Sequence, residues 1–384
     1  MADTVLGAIR TVIGDRCSPV ALHEPMFGVE EERYILDCIR STFVSSVGRY
    51  VDRFEQLLAD YTGVKCAVAV VNGTAALHVA LLLAGVEPGD EVLVPALTFV
   101  ATANAVSFCG AVPHFVDCDA HTLGLDPRKL ADYLAEISEV RDGLCYNRRT
   151  GRRIRAVVPM HTFGHPVDLD ALVEVSGKYR LVLIEDAAES LGSFYKGKHT
   201  GGFGRLAALS FNGNKIVTTG GGGAILTNDE ELGRQAKHLT TTAKVPHRWA
   251  YFHDCLGYNY RMPNLNAALG CAQLEKLPQF LEKKRMLAAR YQDAFASVAG
   301  ATVFREPEFA RSNYWLNAIL LDEDYAEHRD RLLDACHEQG IYVRPAWTLL
   351  HRLPMYIQCP KMDLSVAEDI ERRLINLPSS VGLV

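Results

Sequence analysis

Leu181-Val182-Leu183-Ile184-Glu185-Asp186-Ala187-Ala188 is an apolar run that ends abruptly in two carboxylates. Four apolar residues in succession, without the alternation of a half-exposed strand, predict a strand buried on both faces. Short apolar runs recur at 66–71, 91–95, 112–116, 154–159 and 207–211, with helical patterns between them at 74–84 and 101–108. Strands alternating with helices predict an α/β fold whose large unit holds a mostly parallel sheet covered on both faces. The pattern changes near Asn266, where a long charged helical stretch runs to about Ala296. Strands at 317–321 and 341–344 and a helix at 328–339 follow, predicting a smaller α+β C-terminal domain. The expected division is 1–260, with the N-terminal segment in the large domain, and 261–384.

Composition narrows the function classes. With 384 residues and 48% apolar content the chain can bury a large core and divide in two. A net charge of −6 without a basic stripe argues against nucleic acid as a partner. The ten cysteines, Cys17 among them, are scattered without a C-x-x-C pair. They read as reduced thiols of a cytosolic protein, not as a disulfide framework or a metal site. Residues 1–6 lack a basic segment leading into an apolar one, and no apolar run is long enough to span a bilayer. The expectation is a soluble, cytoplasmic protein with no membrane partner.

Ligands of such sheets collect at the carboxyl ends of the strands, and the candidate residues fall there. After the last apolar run stands Ser210-Phe211-Asn212-Gly213-Asn214-Lys215, followed by Thr218-Thr219 and the glycines 220–223. A lone lysine is ordinarily a solvated surface residue. Lys215, just past a buried strand among asparagines and glycines, is not in such a place. Asn72-Gly73-Thr74 lies where a strand turns into a helix, and backbone N–H groups there suit a phosphate, although an ordinary N-cap looks the same. Ser210 would add a hydroxyl to that phosphate. Phe99, at the end of the next strand, is a stacking partner for a flat ring or a plain core residue, and Ala188 is small enough for the opposite face. Asp186 at the end of its apolar strand is costly unless paired, by an ion pair, a helix cap or a pyridinium nitrogen. Glu189 would hold the ring hydroxyl side or Asp186 itself. Within Gly257-Tyr258-Asn259-Tyr260-Arg261, Asn259 suits a phosphate and Arg261 a carboxylate or phosphate, on a loop equally suited to an interface. A lysine for a Schiff base, an aspartate for a pyridinium and a serine for a phosphate are together what pyridoxal 5′-phosphate requires. Lys215 would then be both covalent anchor and the base that moves a proton at the substrate.

These segments, in this order, resemble the DegT/DnrJ-type sugar aminotransferases, a branch of the fold type I pyridoxal-phosphate enzymes. The resemblance runs almost end to end: Phe27-Gly28, Ser45-Ser46-Val47-Gly48, Asn72 to Leu77, Gly89 to Val92, Pro95 to Thr102, His161 to Pro166, Glu185 to Glu189, Ser210 to Lys215, Thr218 to Asp229 and Asn259 to Met262. It implies a nucleotide-linked 4-keto-6-deoxy sugar as acceptor and L-glutamate as donor. It also implies a homodimer with shared active sites, in which Asn259 reaches the partner's cofactor phosphate. Non-aminating relatives carry histidine in place of the lysine, so Lys215 favours transamination. The family commonly has a glutamate where this chain has Gly221. That departure, with the Ser210–Lys215 run, resembles the subgroup that aminates UDP-2-acetamido-2,6-dideoxy-4-hexulose at C4, serving bacillosamine, legionaminic acid or related sugars. Ser46, Arg261, Tyr342, Trp347 and His351 are its candidate substrate contacts. The alternatives are a GDP- or dTDP-linked sugar, as in GDP-perosamine synthases, and a pyridoxal-phosphate protein that regulates without catalysing.

Overall fold

The computed structural model describes residues 2–14 and 19–384, so Cys17 lies outside the described residues. The described cysteines are all unpaired, with Cys255 exposed.

Two helices, α1 (Ala2–Ile13) and α2 (Val29–Ser41), precede α3 (Arg49–Thr62) and the first strand, β1 (Cys66–Val70). The large sheet then gathers β2 (Glu91–Pro95), β3 (Val112–Val116), the hairpin β4 (Ser138–Arg141) and β5 (Leu144–Asn147), β6 (Arg153–Val157) and β7 (Val182–Asp186). Between them run α4 (Gly73–Leu83), α5 (Val100–Phe108), α6 (Pro127–Ile137) and α7 (Leu169–Lys178). Short strands β8 (Phe194–Tyr195) and β9 (Lys198–His199) stand aside, and β10 (Leu206–Ser210) and β11 (Gly223–Thr227) complete the sheet. Its order is β1-β11-β10-β7-β6-β2-β3, parallel from β10 through β3. This is an α/β unit built on a mostly parallel sheet, as expected.

The sequence reading did not place β4, β5, β8, β9 or β11, nor the strands at 301–303, 310–311 and 374–377, and β11 is the one that bears on the site. β11 opens on the last glycine of the run 220–223 and lies antiparallel to both β1 and β10. Gly223 is required there, because a Cβ would stand 2.5 Å from the carbonyl carbon of Asn72. A side chain at that point would push the strand off the turn that starts α4.

After α8 (Glu230–Thr240), the long α9 (Asn264–Phe295) leads into a second sheet. It consists of β12 (Ala301–Val303), β14 (Asn317–Leu321), β15 (Arg344–Pro345) and β16 (Leu374–Leu377), in the order β12-β14-β16-β15 and antiparallel throughout. β13 (Ala310–Arg311) instead pairs with β8, while α10 (Arg329–Glu338) and α11 (Ser365–Arg373) flank the second sheet. The strand expected at 341–344 reduces to β15, because Ile341 bridges Val20 from the N-terminal segment instead. The first helix departs from its expected place as well. Val5, Leu6, Ile9, Val12 and Ile13 of α1 bury against Leu287, Tyr291, Ile319 and Leu377, so α1 belongs to the core of the smaller unit. An amphipathic helix goes wherever an unfilled apolar face receives it, which its own sequence does not announce.

Candidate active site

Two adjacent carboxylates end β7, and period-two alternation sends them to opposite sides. Glu185 accepts backbone N–H groups from Gly201, Phe203 and Gly204, each at 2.7 Å, and lies 3.1 Å from Nε2 of His161. Burial raises its pKa, but His161 and these backbone donors outweigh that and hold it below the ordinary carboxylate value. This is a structural anion, fully satisfied. Asp186 is 2% exposed and is held more sparingly. Oδ2 accepts the Thr102 hydroxyl at 2.7 Å and Oδ1 the Ala188 N–H at 3.2 Å. Burial pushes its pKa up, and those two hydrogen bonds, with the charge of Lys215, recover only part of the shift. Among the described residues none forms an ion pair with Asp186, so a cation docked against it would find a buried, receptive carboxylate.

Lys215 occupies the loop after β10. Its Nζ donates to Oε1 of Glu189 at 3.1 Å and sits 3.9 Å from the centroid of the Trp315 ring. Trp315 is itself pinned, its indole N–H donating to the carbonyl of Asn214 at 2.7 Å. Burial raises the carboxyl of Glu189 to about 7, against the opposing pull of Lys215 and the Phe163 N–H, which donates to Oε2 at 2.9 Å. Phe163 reaches that position with a left-handed φ of 55°. Strain of that kind persists only where the surroundings impose it.

Gly73 opens α4 directly beside Ser210. A Cβ on Gly73 would stand 2.9 Å from Cβ and 3.3 Å from Oγ of Ser210, so only glycine lets the helix N-terminus and the serine hydroxyl share one concavity. Asn72 caps the helix, accepting the Ala75 N–H at 2.8 Å, which leaves earlier N–H groups to meet a ligand. Thr74 follows within the same first turn. Phe99 is the N-cap of α5 and is 50% exposed, its ring 6.3 Å from that of Trp347. Trp347 also packs on Phe163 at 4.9 Å. Contacts thus link the amine of Lys215 through Glu189, Phe163 and Trp347 to the half-exposed Phe99, while the cradle of Gly73 and Ser210 lies at the head of the loop that carries Lys215. These residues fit pyridoxal 5′-phosphate in donor type and in the room left by glycine.

The other candidates lie apart. Asn259 is exposed and its side chain accepts from Arg261. Their segment runs beside the cradle, since the Tyr260 carbonyl accepts the Val71 N–H at 2.9 Å. Ser46 sits half-buried in the loop before α3. Tyr342 packs against His337, and His351 pairs with Glu368 at 3.4 Å. The sequence reading missed Thr102 as the holder of Asp186, and Trp315 and Phe163 as the supports of Lys215 and Glu189. Thr102 was within a quoted motif. Trp315 carried no signal, because it enters from beyond the connecting helix. The metal-free expectation also meets an observation: His238, Asp254 and Cys255 place ligand atoms within 4.8 Å of one another.

Comparison with known proteins agrees with this chemistry. Residues 25–384 match the DegT/DnrJ/EryC1/StrS aminotransferase family. GDP-perosamine synthase of Caulobacter vibrioides is 38% identical over 367 residues, spanning 95% of this chain and 94% of the relative. A pleiotropic regulatory protein of Geobacillus stearothermophilus is 31% identical over 348 residues, spanning 90% and 88%. Among solved structures, the aminotransferase TlmJ from Streptoalloteichus hindustanus superposes with a TM-score of 0.85 at 28% identity, covering 94% of each chain. The chain belongs to the DegT/DnrJ/EryC1/StrS aminotransferase family, and its cofactor is pyridoxal 5′-phosphate.

Proposed function

We propose that the protein transfers an amino group from L-glutamate to C4 of a nucleotide-linked 4-keto-6-deoxy sugar. The observation that carries this is the placement of Lys215 Nζ, 3.1 Å from Glu189 and within electrostatic reach of Asp186. When bound, the cofactor supplies an electron sink for the carbon that loses a proton. Lys215 would hold it through Nζ and would serve as the base for that proton. Asp186 would offer its buried carboxylate to the cofactor's ring nitrogen, Glu189 would orient Nζ of Lys215, and Gly73, Thr74 and Ser210 would hold the phosphate. Phe99 and Ala188 would pack against the ring.

For the sugar we propose UDP-2-acetamido-2,6-dideoxy-4-hexulose, supported by the Ser210–Lys215 run and by Gly221, where a Cβ would meet nothing nearer than 4.0 Å. The GDP-linked sugar is the second reading, favoured by the GDP-perosamine synthase relative. Substrate contacts remain proposed at Ser46, Arg261, Tyr342, Trp347 and His351. We also propose a homodimer. Trp249, Tyr251 and Leu256 are 73%, 83% and 79% exposed just before Asn259, a patch that a second copy would cover while Asn259 reaches across.

The pure protein is expected to be yellow, and borohydride to fix the cofactor on Lys215. A colourless protein, or label on another lysine, rejects the proposal. Glutamate with a panel of UDP-, GDP- and dTDP-4-keto sugars, read by 2-oxoglutarate release, identifies the acceptor. Colour without turnover on any sugar would favour a regulatory role.

A further inference from the structure

Between the end of α8 and Asn259 the chain runs out and back as a hairpin-like loop. Thr242 and Ala243 turn it off the helix with left-handed φ of 67° and 51°. The two limbs then pair, through antiparallel bridges at Thr241–Asn259 and Lys244–His253. Gly257 lets them close, since a Cβ there would stand 2.3 Å from the carbonyl carbon of Thr242. The return limb is tied to the helix as well, the Tyr258 N–H donating to the Leu239 carbonyl at 2.7 Å. Asp254 and Cys255 of that limb are thereby laid against the last turn of α8, where His238 stands.

Three different donor types meet at that point. His238 Nε2 lies 2.7 Å from Oδ1 of Asp254, and a ring nitrogen, a carboxylate oxygen and the Cys255 sulfur fall within 4.8 Å of one another. Around one tetrahedral zinc ion such atoms stand about 3.4–3.6 Å apart, so small side-chain rotations bring these three onto one centre. The trio borders a pocket of about 460 Å³ together with Leu83 and Leu239. His238 is half-buried while Asp254 and Cys255 are exposed, so an ion can enter from solvent. Arg234, the cation that also lines this pocket, is already paired with Glu231. Carboxylate and thiolate together balance a dication, and the carbonyl end of α8 adds negative partial charge. Imidazole and thiolate select zinc over magnesium or calcium, which prefer oxygen.

We propose that His238, Asp254 and Cys255 bind one zinc ion, with its fourth position left to water. Binding takes Nε2 of His238 in its unprotonated tautomer and sends the Cys255 thiol proton to solvent. The ion cross-links the return limb to α8 and so stiffens the segment that leads to Asn259.

The test uses the full-length holoenzyme, freed of metal with a chelator that is then removed, and titrated with Co²⁺ or Zn²⁺. Co²⁺ is expected to bind at one equivalent per chain and to give tetrahedral ligand-field bands in the red, where the cofactor does not absorb. Zn²⁺ should displace it, raise the melting temperature and slow alkylation of Cys255, followed by peptide mass spectrometry. Cys255→Ser and His238→Asn should each weaken binding by at least about a hundredfold, the upper end of what losing an outer partner of a metal ligand costs. If the asparagine variant does not fold, Cys255→Ser, which changes one exposed atom, carries the comparison alone. Absence of the cobalt bands at one equivalent, or bands that survive in Cys255→Ser, overturns the inference. Equal protection of Cys255 by Mg²⁺ also overturns it, because that would mark a diffuse acidic surface and not a site with sulfur.

Discussion

The floor and the wall of the cleft are built on different terms. The floor comes from the strand ends of one sheet: Asp186 on β7, Ser210 on β10, and Gly73 at the turn after β1. Each lies beside an apolar run that makes its own strand, so its position follows from local chemistry. The wall comes from a distant part of the chain, with Lys284 and Trp315 following well after the sheet is complete. Its geometry depends on the two units docking. The difference predicts that floor variants change the chemistry, whereas wall variants change stability.

Removing the amine is the largest break. Lys215→Ala should cut transamination by more than about a thousandfold, since it deletes both anchor and base, and the purified variant should lack borohydride-fixable cofactor. Next comes Asp186→Asn, which retains hydrogen-bonding capacity toward Thr102 and Ala188 but loses the charge. A fall in kcat of about a hundred- to a thousandfold is expected with melting temperature nearly unchanged. Wild-type kcat in that variant would show that the floor acid is structural, like Glu185.

The wall should answer differently. Trp315→Phe keeps a ring beside Lys215 but loses the bond to the Asn214 carbonyl. We expect about 1–2 kcal/mol lower stability in urea denaturation with kcat within about tenfold of wild type. A larger kcat loss than that of Asp186→Asn would invert the comparison.

The smallest effect is one of pH, where floor and wall meet at Glu189. Its carboxyl is raised to about 7 in the folded protein, above the ordinary 4.5. The folded state therefore binds the proton more tightly than the unfolded state does. The resulting stabilisation is complete below about 4.5 and is lost as pH rises through about 7. In the cofactor-free protein, denaturation midpoints at several pH values should show wild type losing stability across that window. Glu189→Gln, which does not titrate, should lack that component of the slope. Parallel slopes for the two proteins would show that Lys215 already holds Glu189 ionised.

Residues whose role rests on a strand-to-loop step were legible in the chain itself. Lys215, Asp186 and the Asn72–Thr74 turn stood out because a polar group just past a buried apolar strand is costly unless a ligand or partner meets it. β11 was hidden because four glycines mask the start of a strand. The move of α1 to the smaller unit was hidden because amphipathicity reports that a helix has a buried face, not which surface receives it. Lys284 drew no notice at all, since whether a lysine is buried and paired is a property of the packed interior. The linear chain by itself determined an α/β sheet with Lys215, Asp186 and the Asn72–Thr74 turn at its strand ends, because those features depend on neighbours a few residues apart. Only the tertiary structure decided what stands against that lysine. The contacts of Lys215 with Trp315 and Glu189, and of Trp315 with Lys284, are made by tertiary packing, and separation along the chain carries no record of them.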